Sequence, residues 1–270
     1  MRRWTGWCRM REFLEEALNH RDDGYGRAQR AMEPELPKRF YKTAEAVEVE
    51  GGFAIQLDGR AARTPGRKKL VVPTGAVARL VVGEYLAQGE RIDPRSMPAT
   101  RLINSAVESG TERVPDFLAE IARFAGNDLL LYRADTPREL VAEQERLWDG
   151  ALVALARHFG IAFRPTVGII HEKQPEATLE RLAEALAGEE LFAATALVSI
   201  TSLTGSGLLA IGLRAGLFTP DDVWEAAHLD EDFQARLWGV DEEAALRRSR
   251  RRAEFDAAVA VLDGLGSVRG

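Results

Sequence analysis

The sequence predicts an α+β fold in which an N-terminal antiparallel β-meander with helices is followed by an all-helical C-terminal domain. Three observations lead there. From Phe40 to Val72 the apolar residues keep a period of two, punctuated by Gly51-Gly52 and Asp58-Gly59, dipeptides that supply positive φ in hairpin turns. Beyond Thr136-Pro137 nearly all apolar residues recur at steps of three and four. The composition also permits a full core: 46% of the 270 residues are apolar and 29% charged. That length accommodates one large domain or two small ones.

Residues 1–37 are largely polar and broken by Gly24, Gly26, Pro34 and Pro37, with a single helix-like run from Arg11 to Leu18, and read as an appendage. The meander follows: Val47 and Val49, then Phe53, Ile55 and Leu57, then Arg60 to Thr64, and a last strand from Leu70 to Val72 that stops at Pro73. Thr74 is placed to cap a helix whose apolar stripe is Val77, Leu80, Val81, Tyr85 and Leu86. Pro94 and Pro98 break the chain before a second helix through Leu102, Ile103, Ala106 and Val107, and a third spans Pro115 to Phe124. After Asp128 the run from Leu129 to Tyr132 is either a strand or a helix end, and periodicity does not choose between them.

In the helical half, Thr136 is expected to cap a helix with Pro137 at its first position, continuing from Leu140 to Phe159 until Gly160 stops it. Leu191 to Leu213 is 23 residues without a charge, long enough to span a membrane. The Gly205-Ser206-Gly207 cluster past its middle instead points to two short buried helices meeting there, so no membrane insertion is expected. Thr219-Pro220-Asp221-Asp222 opens a helix through Val223, Ala226, Ala227 and Phe233 to about Trp238-Gly239, and a last helix runs from Asp241 to about Leu265. The resulting division is residues 1–37 as appendage, 38–130 as a mixed β/α domain and 131–270 as a helical domain, with the boundary between Asn127 and Thr136.

Several function classes lose their candidates. A net charge of −6 argues against nucleic acid and anionic membranes as partners. Cys8 is the single cysteine, so no intrachain disulfide framework or cysteine-built zinc site exists. His20, His158, His171 and His228 are scattered without the short spacing of a helix-borne zinc site, and each reads as structural or solvated. No nucleophile elbow and no Walker sequence is present, so no catalytic residue, metal or cofactor is assigned. No secretory signal is visible at Met1–Met10, and the acids from Glu12 onward argue against a transit segment. A bacterial cytoplasm is the expected location, or the mitochondrial matrix in a eukaryote.

Gly205-Ser206-Gly207-Leu208-Leu209-Ala210 fits a G-x-G-x-x-A dinucleotide fingerprint, which would make the chain a nucleotide-binding enzyme. That motif needs a parallel strand before it and an acid ending the next strand, whereas Asp221 and Asp222 open a helix, so close helix packing is the preferred reading. The basic run Arg247, Arg248, Arg250, Arg251 and Arg252 reads as a solvated helix face interleaved with acids. One segment keeps a functional reading. Asp230-Glu231-Asp232 followed by Gln234 and Trp238 places three successive acids around a helix that ends in an aromatic, a pattern suited to a basic protein partner.

A series of short motifs runs in order along the chain: Lys38-Arg39-Phe40-Tyr41-Lys42, Leu57-Asp58-Gly59-Arg60 with Arg63-Thr64-Pro65, Val72-Pro73-Thr74, and Glu84-Tyr85 with Gln88. It continues through Ser96-Met97-Pro98, Asp128-Leu129-Leu130-Leu131-Tyr132-Arg133, Gln144 with Trp148-Asp149, and Gln234 with Trp238-Gly239. In their order and spacing these motifs resemble the assembly chaperones of the ATP synthase alpha subunit, known in mitochondria as ATP synthase assembly factor two. Tyr85 departs from the family's tryptophan but keeps an aromatic. The resemblance implies a monomeric, non-enzymatic protein that binds the new alpha subunit, shields its beta-facing interface and yields it during assembly. It also implies that the family's functionally sensitive acid falls at Asp230, with its neighbours as alternatives. A generic interaction module with another client is the competing reading.

Overall fold

The structure is a computed structural model and describes residues 35–239 and 242–266. Residues 1–34 of the expected appendage, Cys8 and His20 among them, and the expected helix start at Asp241 lie outside the described residues. The meander forms where the turn dipeptides place it. Strands β1 (Ala44–Val49) and β2 (Gly52–Leu57) pair antiparallel with Val49 opposite Gly52. A Cβ on Gly52 would lie 2.2 Å from the Val72 carbonyl oxygen, so the close approach of the neighbouring strand requires glycine here. Between β2 and β3 (Arg60–Ala61), Asp58 and Gly59 have φ of 48° and 73°, the double positive φ of a tight hairpin turn. The Asp58 carboxylate accepts from the Lys42 and Thr43 amides at 3.0 and 2.8 Å, and these bonds hold its pKa below the usual range. Strand β4 (Val71–Val72) completes the sheet by pairing with β2.

Helix α1 (Gly75–Leu86) packs Val77, Ala78 and Val81 into the core shared with Ile55, Leu70 and Val72. Its expected stripe is rotated, since Leu86 is exposed and Ala78 is buried in its place. Thr74 caps it as expected, accepting from the Val77 amide at 3.2 Å, and also donates to the Gly264 carbonyl at 2.6 Å, which ties the start of α1 to the end of the C-terminal helix. Tyr85 stacks edge-on against Tyr41, and the Tyr41 hydroxyl donates to the Tyr85 carbonyl, so the aromatic at this position packs with a defined partner.

Helices α2 (Pro98–Ser109) and α3 (Val114–Ala125) follow as the prolines predict. The ambiguous run then splits. Leu129–Leu131 is a 3₁₀ turn, and Tyr132–Arg133 is strand β5, which later pairs in parallel with β6 (Thr166–Val167). Strands were expected only in the N-terminal half; two-residue strands are too short to carry a period. The next helix also departs from expectation: Pro137, not Thr136, is the N-cap of α4 (Arg138–Gln144), because the Thr136 hydroxyl bonds Asp135 instead. A π turn over Glu145–Asp149 seats Trp148 in the core, its indole N–H donating to the Ala226 carbonyl at 2.8 Å. Then α5 (Gly150–Phe159) ends at Gly160 in the left-handed conformation, as predicted.

After α6 (Glu176–Leu186), the uncharged run is the expected pair of buried helices, α7 (Leu191–Thr204) and α8 (Gly207–Arg214), turning at Gly205 with φ 71°. A helix, not a strand, precedes the glycines. A Cβ on Gly207 would meet the Ile121 carbonyl at 2.4 Å and the Ala125 amide at 2.7 Å, so this glycine lets α8 approach α3. Ser206 caps α8 by accepting from the Leu209 amide at 3.0 Å and donates to Asp128 at 2.8 Å. Asp128, fully buried, also accepts from the Leu130 and Leu208 amides at 3.2 and 2.9 Å. The fingerprint-like segment is thus a helix junction with its polar atoms engaged by an internal carboxylate.

The expected single helix from Thr219 to Trp238 is two, α9 (Pro220–Ala227), with the full capping box of Thr219 and Asp222, and α10 (Leu229–Trp238). They break at His228, whose buried ring lies 3.9 Å from the Trp224 ring and whose Nδ1 is 2.9 Å from the Trp224 carbonyl oxygen. Burial pushes the His228 pKa down, favouring neutral imidazole. The last helix, α11 (Glu242–Gly264), buries Phe255, Ala258, Val259, Val261 and Leu262 and packs against α1, α2 and α7, so a continuous core joins residues of both halves. Among the described residues no helix is long and apolar enough to cross a membrane.

Candidate interaction surface

Helix α10 is anchored by its first residue and its middle, Leu229 and Phe233, both buried. The three acids occupy its first turn, where the positive end of the helix dipole favours them. They do not share one fate. Asp232 forms a two-pronged pair with Arg248 of α11, one contact at 2.7 Å, and this bonding raises the Arg248 pKa. Asp230 is exposed, yet its Oδ1 accepts from the Gln144 side-chain amide at 2.9 Å. Gln144 is buried, and its own Oε1 accepts from the Ala134 amide at 2.8 Å, so one glutamine fixes the Asp230 carboxylate relative to the backbone beside β5. Glu231 points to solvent.

Toward the C-terminal end, Arg236 pairs with Glu143 of α4 at 2.6 Å and lies over the Phe233 ring. Gln234 is exposed. Leu237 and Trp238, 59% and 86% exposed, close the helix before Gly239, whose amide donates to the Ala235 carbonyl. The segment therefore presents an oriented carboxylate at one end and uncovered apolar side chains at the other, about four-fifths of a ten-residue helix, or roughly 12 Å, away. The sequence pattern located the segment; the Gln144 clamp, 86 residues away in sequence, left no local sign.

The other singled-out groups are absorbed structurally. In the basic run, Arg247 pairs with Glu243 at 2.5 Å, Arg252 with Asp221 and Asp256 at 2.6 and 2.7 Å, and Arg251 donates to the Leu203 carbonyl. His158 stacks against Phe159, and His171 Nδ1 lies 3.1 Å from the Tyr132 hydroxyl. Among the described residues no group of three or more His, Cys, Asp or Glu side chains is arranged to hold a metal ion.

Comparison with known proteins agrees with this architecture. The family model described as ATP12 chaperone protein matches residues 38–156. Protein atp12, mitochondrial, of Schizosaccharomyces pombe is 24% identical over 219 residues, covering 77% of this chain and 75% of that protein. The crystal structure of a protein from Agrobacterium tumefaciens superposes with a TM-score of 0.82 at 41% identity, over 95% of this chain and 97% of that one. Atp12 from Paracoccus denitrificans superposes with a TM-score of 0.77 at 34% identity, over 84% of this chain and 97% of that one. With 34% identity over 84% of its length to a solved Atp12 that it covers almost entirely, this chain belongs to the ATP12 chaperone family.

Proposed function

We propose that this protein is an assembly chaperone of ATP synthase that binds the unassembled alpha subunit, shields the face that will meet the beta subunit, and releases it as the catalytic head forms. An unpaired subunit exposes an apolar interface prone to aggregation, and a chaperone must cover it reversibly. The observation that carries the reading is α10, where an acid held in place by a buried glutamine shares one helix with uncovered Leu237 and Trp238. A carboxylate that accepts one bond from Gln144 keeps further lone pairs for a basic side chain of the client. The exposed tryptophan supplies contact area of the kind that dominates protein interfaces.

Asp230 and Glu231 are the acids that face outward in this reading, with Gln234 and Trp238 beside them; Asp232 serves the chaperone's own fold through Arg248. Co-purification with separately expressed alpha and beta subunits tests the assignment. Wild type should retain alpha, and the double charge reversal Asp230→Lys with Glu231→Lys should lose it while keeping the wild-type circular dichroism spectrum, with a denaturant midpoint lowered by loss of the Gln144 bond and of the favourable charges at the helix start. Capture of beta without alpha would refute the client; undiminished capture by the reversed variant would refute the surface.

A further inference from the structure

The most exposed large apolar side chain among the described residues is not on α10. It is Ile169, 95% exposed, with Ile170 at 78% and Val167 at 64% beside it. Single exposed aliphatics are ordinary on soluble proteins, but three within four residues form a patch with a water-exposure cost that the fold does not relieve. Gly168, with φ 83°, turns the chain between them. The segment begins in β6, and the Gly168 amide donates to the Arg133 carbonyl at 2.9 Å, which in a parallel pair turns the backbone polar groups of Val167 to the outer edge.

Its base is held firmly. The Gln174 side chain accepts from the Arg164 amide and donates to the Arg164 carbonyl, both at 2.9 Å, and His171 meets the Tyr132 hydroxyl. Arg164 and Glu172 lie 3.9 Å apart at that base, leaving the tip itself uncharged. The same strand links it to the acidic helix. Tyr132–Arg133 pairs with the finger, and the next amide, Ala134, binds Gln144, which binds Asp230. Two exposed elements from distant parts of the sequence are thus fixed to one short strand.

We propose that residues 167–170 form an apolar finger that seats in an apolar recess of the same client engaged by α10, giving the chaperone a two-point grip. This inference rests on the alpha-subunit reading above. The occupant is a protein recess because the tip carries large aliphatics without the cluster of lysines and arginines that draws a protein to an anionic membrane. Its connection through β5 and Gln144 ties the finger to the helix that carries Asp230.

The test uses the full chain carrying Ile169→Asp and Ile170→Asp, co-expressed with the alpha subunit. Because both side chains are solvent-exposed, the unfolding midpoint should stay at the wild-type value while capture of alpha falls about tenfold or more. Capture equal to wild type overturns the finger, and leaves the client assignment standing if the Asp230 and Glu231 reversals still abolish it. Failure of the wild-type chain to capture alpha at all overturns both. A photo-crosslinking residue at Ile170 should give an adduct with alpha. An adduct with a second copy of this chain overturns the proposal, as does finger-dependent co-sedimentation with phosphatidylserine vesicles.

Discussion

Carboxylates of the same chemistry stand in opposite surroundings at two places in this protein. At the junction of α3, α7 and α8, Asp128 is withdrawn from water and surrounded by donors from Leu130, Leu208 and Ser206. On α10, Asp230 and Glu231 stand in solvent, with Asp230 steadied by one buried amide. Burial pushes the Asp128 pKa up to about 7, outweighing the hydrogen bonds that favour its charged form. An internal acid organises the fold; an external one remains available to a partner. Their difference lies in surroundings, since neither aspartate is distinguished by its own composition.

That comparison can be broken most severely at Asp128. Replacing it with alanine strands the Leu130 and Leu208 amides and the Ser206 hydroxyl in the interior, and urea unfolding should show a loss of about 2–5 kcal/mol. A change below about 0.5 kcal/mol would mean the junction tolerates open donors and that Asp128 is not its organiser.

Next in size is the pH dependence. An acid whose folded pKa is raised holds its proton in the native state where the unfolded chain has lost it, so its contribution to stability is full below about pH 4 and is lost as pH rises through about 7. Asp58, Asp93 and Glu108 act in the opposite sense, since their folded pKa values are depressed and their contributions fade as pH falls through those values. The Asp128 part is isolated by the difference between wild type and Asp128→Asn across pH 4–8. That difference should shift by on the order of 1–3 kcal/mol; a flat difference would place no proton on Asp128.

The α10 side of the comparison predicts effects on binding with little on stability. Asp230→Asn keeps an oxygen for Gln144 and removes the charge, so unfolding should move by less than about 0.5 kcal/mol while alpha capture weakens several-fold, more so at low salt. The smallest stability effect belongs to Trp238→Ala. With the side chain 86% exposed, the expected change is within about 0.5 kcal/mol, and a binding titration should show the cost instead. A substantial loss of stability would show that Trp238 serves the fold.

Much of the fold could be read locally because its signals are local. Asp58-Gly59 demands positive φ, Thr74 and Thr219 offer their hydroxyls to the next turn, and Gly160 and Gly205 end helices in the left-handed conformation. Where the reading slipped, the causes were of two kinds. The break at His228, beside Trp224 one turn earlier, and the cap at Pro137 instead of Thr136 turn on neighbouring residues whose composition leaves several outcomes open, whereas β5 finds β6 across thirty-two intervening positions.

The candidate surface divides the same way. The sequence by itself determined that Asp230, Glu231, Asp232 and Trp238 share a helix, because helical spacing is a property of adjacent residues. Only the tertiary structure decided which acids face outward: Arg248 takes Asp232, Gln144 orients Asp230, and the finger at Ile169 is tied to the same strand. Exposure and pairing depend on what the rest of the chain brings alongside, and long-range packing leaves no periodic trace in the order of the residues.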